Sequence, residues 1–134
     1  MCVYSRRLFK EWVSRGKIII AVDYDDTIRS SSFLGNDKDM ARTIKLVKKA
    51  KEIGAYIVIF TAAKRERYNE IIGYCRKLGI DIDTININPI PLEFGNDGKI
   101  GYNIHLCDRS GLKESLKVLK RTMKAYKFYK INNA

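Results

Sequence analysis

Along this chain, unbroken apolar runs alternate with segments whose apolar residues recur every three or four positions. Ile18-Ile19-Ile20-Ala21-Val22 and Ala55-Tyr56-Ile57-Val58-Ile59-Phe60 lack polar alternation, as strands do when a parallel sheet buries both their faces. Two shorter strands are predicted over 83–87 and 103–107. Leu8, Phe9, Trp12 and Val13 share one side of a helix over 4–15. Met40, Thr43, Ile44, Val47, Ala50 and Ile53 keep helical spacing over 39–53, with Gly54 placed to end that helix. Tyr68, Ile71, Ile72, Cys75 and Leu78 form the inner face of a third helix running to Gly79. Leu112, Leu116, Leu119, Met123 and Tyr126 do so for a fourth, over about 112–130. Polar residues and glycine make 29–39 a loop, and 88–98 holds both prolines and two glycines.

The order strand, helix, strand, helix, strand, strand, helix predicts a three-layer, Rossmann-like α/β domain with a mainly parallel sheet. Repeats and linker-like stretches are lacking. The chain therefore reads as a single domain over 1–134, with 1–16 an N-terminal helical extension and 112–130 a C-terminal basic helix.

Charge adds a preference for anionic partners. Lys and Arg number 26 against 15 Asp and Glu, for a net +11, an attraction that salt weakens. It leaves nucleic acid and phosphorylated metabolites equally open. Cys2, Cys75 and Cys107 are widely spaced, which predicts reduced thiols, no disulfide frame and no zinc motif, as in a cytoplasmic protein. No apolar run approaches the roughly 20 residues of a membrane span, and Glu11, Ser14 and Arg15 interrupt any signal core. His105, the only histidine, falls within a predicted strand, where a core or edge role outweighs a catalytic one.

The chemistry gathers at strand ends. The first strand runs into Asp23-Tyr24-Asp25-Asp26-Thr27. Alternation along a strand lets Asp23 and Asp25 converge while Tyr24 faces away. Two close carboxylates repel, so the pair calls for a cation or a shared proton. Thr61 and Asp108 close two further strands, and the carboxyl edge of a parallel sheet is where ligands bind. Lys99, just ahead of the fourth strand, is within reach of the same crevice. Carboxylates, a hydroxyl and an ammonium suit Mg²⁺ and a phosphoryl group. Lys64, Arg65 and Arg67 after Thr61, and Arg109 after Asp108, are candidates for substrate contact. On the last helix Lys113, Lys117, Lys120, Lys124 and Lys127 follow the apolar stripe one position later. They form either a solvated face or a phosphate-tracking stripe for nucleic acid.

With these motifs in this order, the chain resembles the haloacid dehalogenase (HAD) superfamily of phosphotransferases over residues 17 to about 122. Asp23-Tyr24-Asp25-Asp26-Thr27 matches the family's D-x-D-x-T motif. Tyr56 to Thr61 matches its apolar strand ending in Thr or Ser, Lys99 its lysine, and Asn103 to Arg109 its last acidic motif. The resemblance is to minimal, capless members found in phage and bacterial genomes. It implies that Asp23 is a nucleophile forming an aspartyl-phosphate and Asp25 the acid and base. It implies that Thr61 and Lys99 hold phosphoryl oxygens, and that Mg²⁺ is bound by Asp23, Asp108 and the Asp25 main-chain carbonyl. Thr27 is expected to bond locally and orient the loop. Asp26 stands where glycine is common, and Cys107 where many small relatives carry a second acid. The expected function is a Mg²⁺-dependent phosphatase, a phosphoric monoester hydrolase, acting on a nucleotide or other small phosphorylated metabolite. The alternatives are a polynucleotide end phosphatase and a non-catalytic protein binding nucleic acid or phosphate on a degenerate scaffold.

Overall fold

The computed structural model describes residues 2–32, 35–90 and 101–134. Its central strand, β1 (Ile18–Asp23), is buried from Ile18 to Val22 and has a strand paired along each edge. On one flank lies β2 (Ala55–Phe60), in register from Ile18 with Ala55 to Asp23 with Phe60. Beyond β2 comes β3 (Thr84–Ile85), and on the other flank of β1 lies β4 (Ile104–Leu106). The order is β3-β2-β1-β4 and every pairing is parallel. With the helices α1 (Val3–Arg15), α2 (Asp37–Glu52), α3 (Tyr68–Leu78) and α4 (Leu112–Asn132), this is an α/β architecture consistent with a Rossmann-like, three-layer build. None of the described helices is long and apolar enough to cross a membrane.

The helices bury the faces that their spacing marks. Leu8 and Trp12 of α1, Val47 and Ala50 of α2, Ile71 and Cys75 of α3, and Leu116 and Leu119 of α4 join one cluster with alternate strand residues. Those strand residues include Ile18, Ile20, Val22, Ile57, Ile59 and Leu106. Each leucine, isoleucine or valine among them contributes about 1.5–3 kcal/mol by leaving water. Trp12 stacks on Tyr126 with ring centroids 4.5 Å apart, tying the first helix to the last. The five lysines of the α4 stripe are exposed, opposite buried Leu112, Leu116, Leu119, Met123 and Tyr126.

Element ends differ from the sequence expectation where side chains intervene. α2 starts at Asp37 rather than 39, because the Asn36 side chain accepts the Asp39 N–H at 3.0 Å and caps the helix. Gly54 ends it as expected, with φ +100°. β3 covers two residues instead of five, because Asn86 adopts φ +55° and turns the chain out of extension. β4 starts one residue late, since Asn103 spends its side chain on the ladder, accepting the Ile19 N–H through Oδ1 at 2.7 Å. Much of the loop expected over 88–98 lies outside the described residues.

Candidate functional site

Strand order selects one place on this sheet. From β1 the chain steps outward to β2 and β3, whereas β4 lies on the opposite side of β1. The carboxyl ends of β1 and β4 therefore flank the point where the winding reverses, the crevice in which open α/β sheets bind ligands. Asp23 closes β1, and Ala21 pairs with His105 while Val22 pairs with Leu106. Paired residues of parallel strands share a face, as do alternate residues along a strand, so Ala21, Asp23, His105 and Cys107 point to one side.

That register brings three different donors together. The Nε2–H of His105 donates to Asp23 Oδ1 at 2.8 Å, and the Cys107 thiol lies beside the same carboxylate. Ligand atoms of Asp23, His105 and Cys107 all lie within 4.8 Å of one another. The imidazole is held by the rings of Phe60 and Tyr102, at centroid distances of 5.1 and 5.2 Å. Burial alone would raise the Asp23 carboxyl. The hydrogen bond from His105, the neighbouring Cys107 thiol and the nearby imidazole charge outweigh it and hold the group below its ordinary value. Burial, followed by the adjacent Asp23 carboxylate, pushes the Cys107 thiol up. His105 is thus a half-buried strand residue, as expected, but its ring is engaged with Asp23 rather than with the core. Cys107 is buried, yet it too faces the acid.

The loop after β1 is fastened at both ends. Thr27 is fully buried and reaches across to β4, donating to Asp108 Oδ1 at 3.2 Å and accepting the Asp108 N–H at 3.1 Å. Its expected local bond is replaced by this pair, which fixes Asp108 relative to β1. Asp26 adopts φ +59°, a conformation that Asp tolerates better than most residues. Its carboxylate accepts the Ser31 and Ser32 N–H groups at 3.0 and 3.1 Å and the Ser32 hydroxyl at 2.6 Å. Those bonds, the Ser31 amide first, hold its carboxyl below the usual range. A Cβ on Gly35 would lie 3.0 Å from the Asp26 carbonyl oxygen, so glycine permits this close approach.

Thr61 follows β2 and is held by a residue the sequence did not mark. Asn86 Oδ1 accepts the Thr61 N–H at 3.0 Å, and Asn86 Nδ2 donates to the Thr61 carbonyl at 2.7 Å and to the Tyr68 hydroxyl at 3.1 Å. Thr61 Oγ1 accepts the Ala63 N–H at 3.1 Å. The only local sign of this role is an Asn at a strand end. Asn86→Ala should lower stability by about 1–3 kcal/mol, because it leaves backbone groups of Thr61 unpaired. Asn86→Gly keeps the backbone conformation and removes the same bonds. Denaturant melts in which Asn86→Gly matched wild type would assign the effect to backbone strain instead.

Asp23, Asp25, Thr61, Asn86, Asp108 and Arg109 line one cleft of about 620 Å³. Asp25 is exposed there, while Tyr24 is buried edge-on to Tyr74, so the two side chains part as alternation predicts. Among the cations proposed for substrate contact, Arg109 borders this cleft. Lys64, Arg65 and Arg67 are exposed around the 3-10 turn Arg65–Arg67 and are not among its lining. Arg65 borders a neighbouring groove along β3, and Arg67 Nε lies 3.6 Å from Glu70. Lys99 falls outside the described residues. Hard oxygen donors for a cation come from Asp23, Asp25 and Asp108, and softer ones from His105 and Cys107. No protein-family model, curated protein or solved structure matches this chain.

Proposed function

We propose that this protein is a Mg²⁺-dependent phosphatase of the HAD type, with Asp23 attacking the phosphorus of a nucleotide or other small phosphorylated metabolite. One observation carries this proposal. The acid that ends the central strand has a carboxyl held below its ordinary pKa, and it opens at the winding reversal into a cleft shared with Asp25, Thr61 and Asp108.

The donor chemistry fits Mg²⁺, which prefers oxygen ligands and often takes one or two carboxylates. Asp23 and Asp108 would hold the ion together with the Asp25 main-chain carbonyl. When bound, it would neutralise charge on the phosphoryl oxygens as the carboxylate approaches. Asp23 forms the new O–P bond while the bond to the leaving oxygen breaks. Asp25 gives that oxygen a proton, then takes one from the water that releases phosphate and restores Asp23. Thr61 accepts the Ala63 amide through Oγ1, which leaves its hydroxyl hydrogen to donate to a phosphoryl oxygen. Lys99 would hold the same oxygens, and Thr27 keeps Asp108 in position. His105 anchors one oxygen of Asp23 and leaves the other to attack.

A screen of nucleotides, sugar phosphates and 3′-phosphorylated oligonucleotides with Mg²⁺ tests the proposal. Phosphate release from any class that disappears on chelation supports it, and the oligonucleotide arm reports end-phosphatase activity. Silence across all three classes would overturn it.

Cys107→Asp provides a separate check. A second carboxylate beside Asp23 repels it when no cation is present, so the melting temperature in chelator should fall below wild type. Mg²⁺ should restore the loss, and the concentration giving half-maximal activity should drop. A melting temperature depressed equally at every Mg²⁺ concentration would make Cys107 a packing residue only.

A further inference from the structure

We propose that Asp23, His105 and Cys107 form a binding site for a thiophilic divalent cation of the Zn²⁺ class, and that a cation bound there stops phosphate release by occupying Asp23. Binding rests on the side-chain cluster alone, and only the inhibition depends on the phosphatase proposal.

The donor set selects such a cation. A carboxylate oxygen, an imidazole nitrogen and a thiol sulfur converge within 4.8 Å. On metal binding the thiol proton is released, while the neutral imidazole keeps its proton on the other ring nitrogen. Tetrahedral zinc, with bonds of about 2.0–2.3 Å, places its ligand atoms about 3.3–3.8 Å apart. The cluster therefore needs to close by only about 1 Å to meet that geometry. Mg²⁺ gains little from sulfur or imidazole, whereas zinc favours both. Three protein ligands leave a fourth position for water or a substrate oxygen, as in catalytic rather than structural zinc sites. Here that position would adjoin the cleft that Asp23 lines.

The surroundings are those of a prepared site. His105 packs against Phe60 and Tyr102, whose rings also meet each other edge-on, and Cys107 is 6% exposed. Partly buried side chains have less rotamer freedom left to lose when they take up a metal. The ligands come from two adjacent strand ends, one of them supplying a His-x-Cys pair, so no linear metal motif announces them. Of the other cysteines, Cys75 is buried in the core and Cys2 is exposed at the N-terminus.

Cobalt(II) added to chelator-treated protein is a direct probe, because a thiolate ligand gives an intense near-ultraviolet charge-transfer band whether or not the protein is an enzyme. The band should saturate at one equivalent, yield to Zn²⁺ and persist in excess Mg²⁺. It should vanish in Cys107→Ser, weaken in His105→Gln and remain in Cys2→Ser, with circular dichroism reporting the fold of each. If Cys107→Ser does not fold, His105→Gln decides. No band in wild type, a band surviving Cys107→Ser, or a band lost in Cys2→Ser would overturn the site.

Zn²⁺ at ten times its Kd should lower Mg²⁺-supported phosphate release about tenfold. The ratio of rates with and without Zn²⁺ should rise towards one in Cys107→Ser, whatever its basal rate. A cobalt band in a protein that releases no phosphate keeps the cation site and removes the phosphatase. Phosphatase activity without a cobalt band does the reverse.

Discussion

Asp23→Asn should reduce phosphate release on the order of 10³-fold or more, as loss of a catalytic nucleophile does. That corresponds to about 4 kcal/mol of transition-state stabilisation. The amide keeps the shape of the carboxylate and can still meet His105 and Cys107, so circular dichroism should stay native. Wild-type turnover in a clean Asp23→Asn preparation would remove the covalent route. The same variant tests the electrostatics. In the folded protein the Asp23 carboxyl lies below its ordinary 3.8, because its contacts with His105 and Cys107 outweigh burial. A carboxyl depressed in this way adds stability above its unfolded pKa and loses it as pH falls through the folded value. The melting advantage of wild type over Asp23→Asn should therefore shrink as pH drops below 3.8. A difference that stays constant through that acid range would mean that Asp23 gains nothing from its neighbours.

The largest loss of stability is expected from Trp12→Ala. Trp12 is fully buried and stacked on Tyr126, and Leu8 beside it joins the same cluster. Removing a buried tryptophan costs about 3–5 kcal/mol, through lost burial and the cavity left behind. Against a typical total of about 5–15 kcal/mol, that is a large fraction. The thermal midpoint should fall by roughly 10–20 °C in a chain of this length. Trp12→Phe keeps a ring against Tyr126 and should recover most of the loss. An unchanged midpoint in Trp12→Ala would make the first helix an appendage rather than part of the folded core. The sequence marks this helix as an extension because it precedes the first strand. Its stack on Tyr126, more than a hundred positions later, makes it part of the same core.

What the sequence determines by itself is local. An apolar run such as Ile18 to Val22, short and rich in β-branched residues, points to a strand buried on both faces. Helical spacing specifies which faces of α2, α3 and α4 turn inward, and Gly54 and Gly79 end two of those helices in the left-handed conformation. The acids after the first strand mark its carboxyl end as the place for chemistry, and Asp23, Asp25, Thr61 and Asp108 do border one cleft. Contacts between distant segments are another matter, since pairing partner and register are set by the packed sheet and not by any short stretch of chain. That β4 lies beside β1 with Ala21 opposite His105 is what turns the single histidine and a buried cysteine towards Asp23. The Thr27 bond to Asp108 spans 81 positions and the Asn86 clasp on Thr61 spans 25. Each depends on two strand ends meeting at one edge. Tertiary structure alone decided which donors surround Asp23, because a side chain acquires neighbours from other strands only when the sheet has closed.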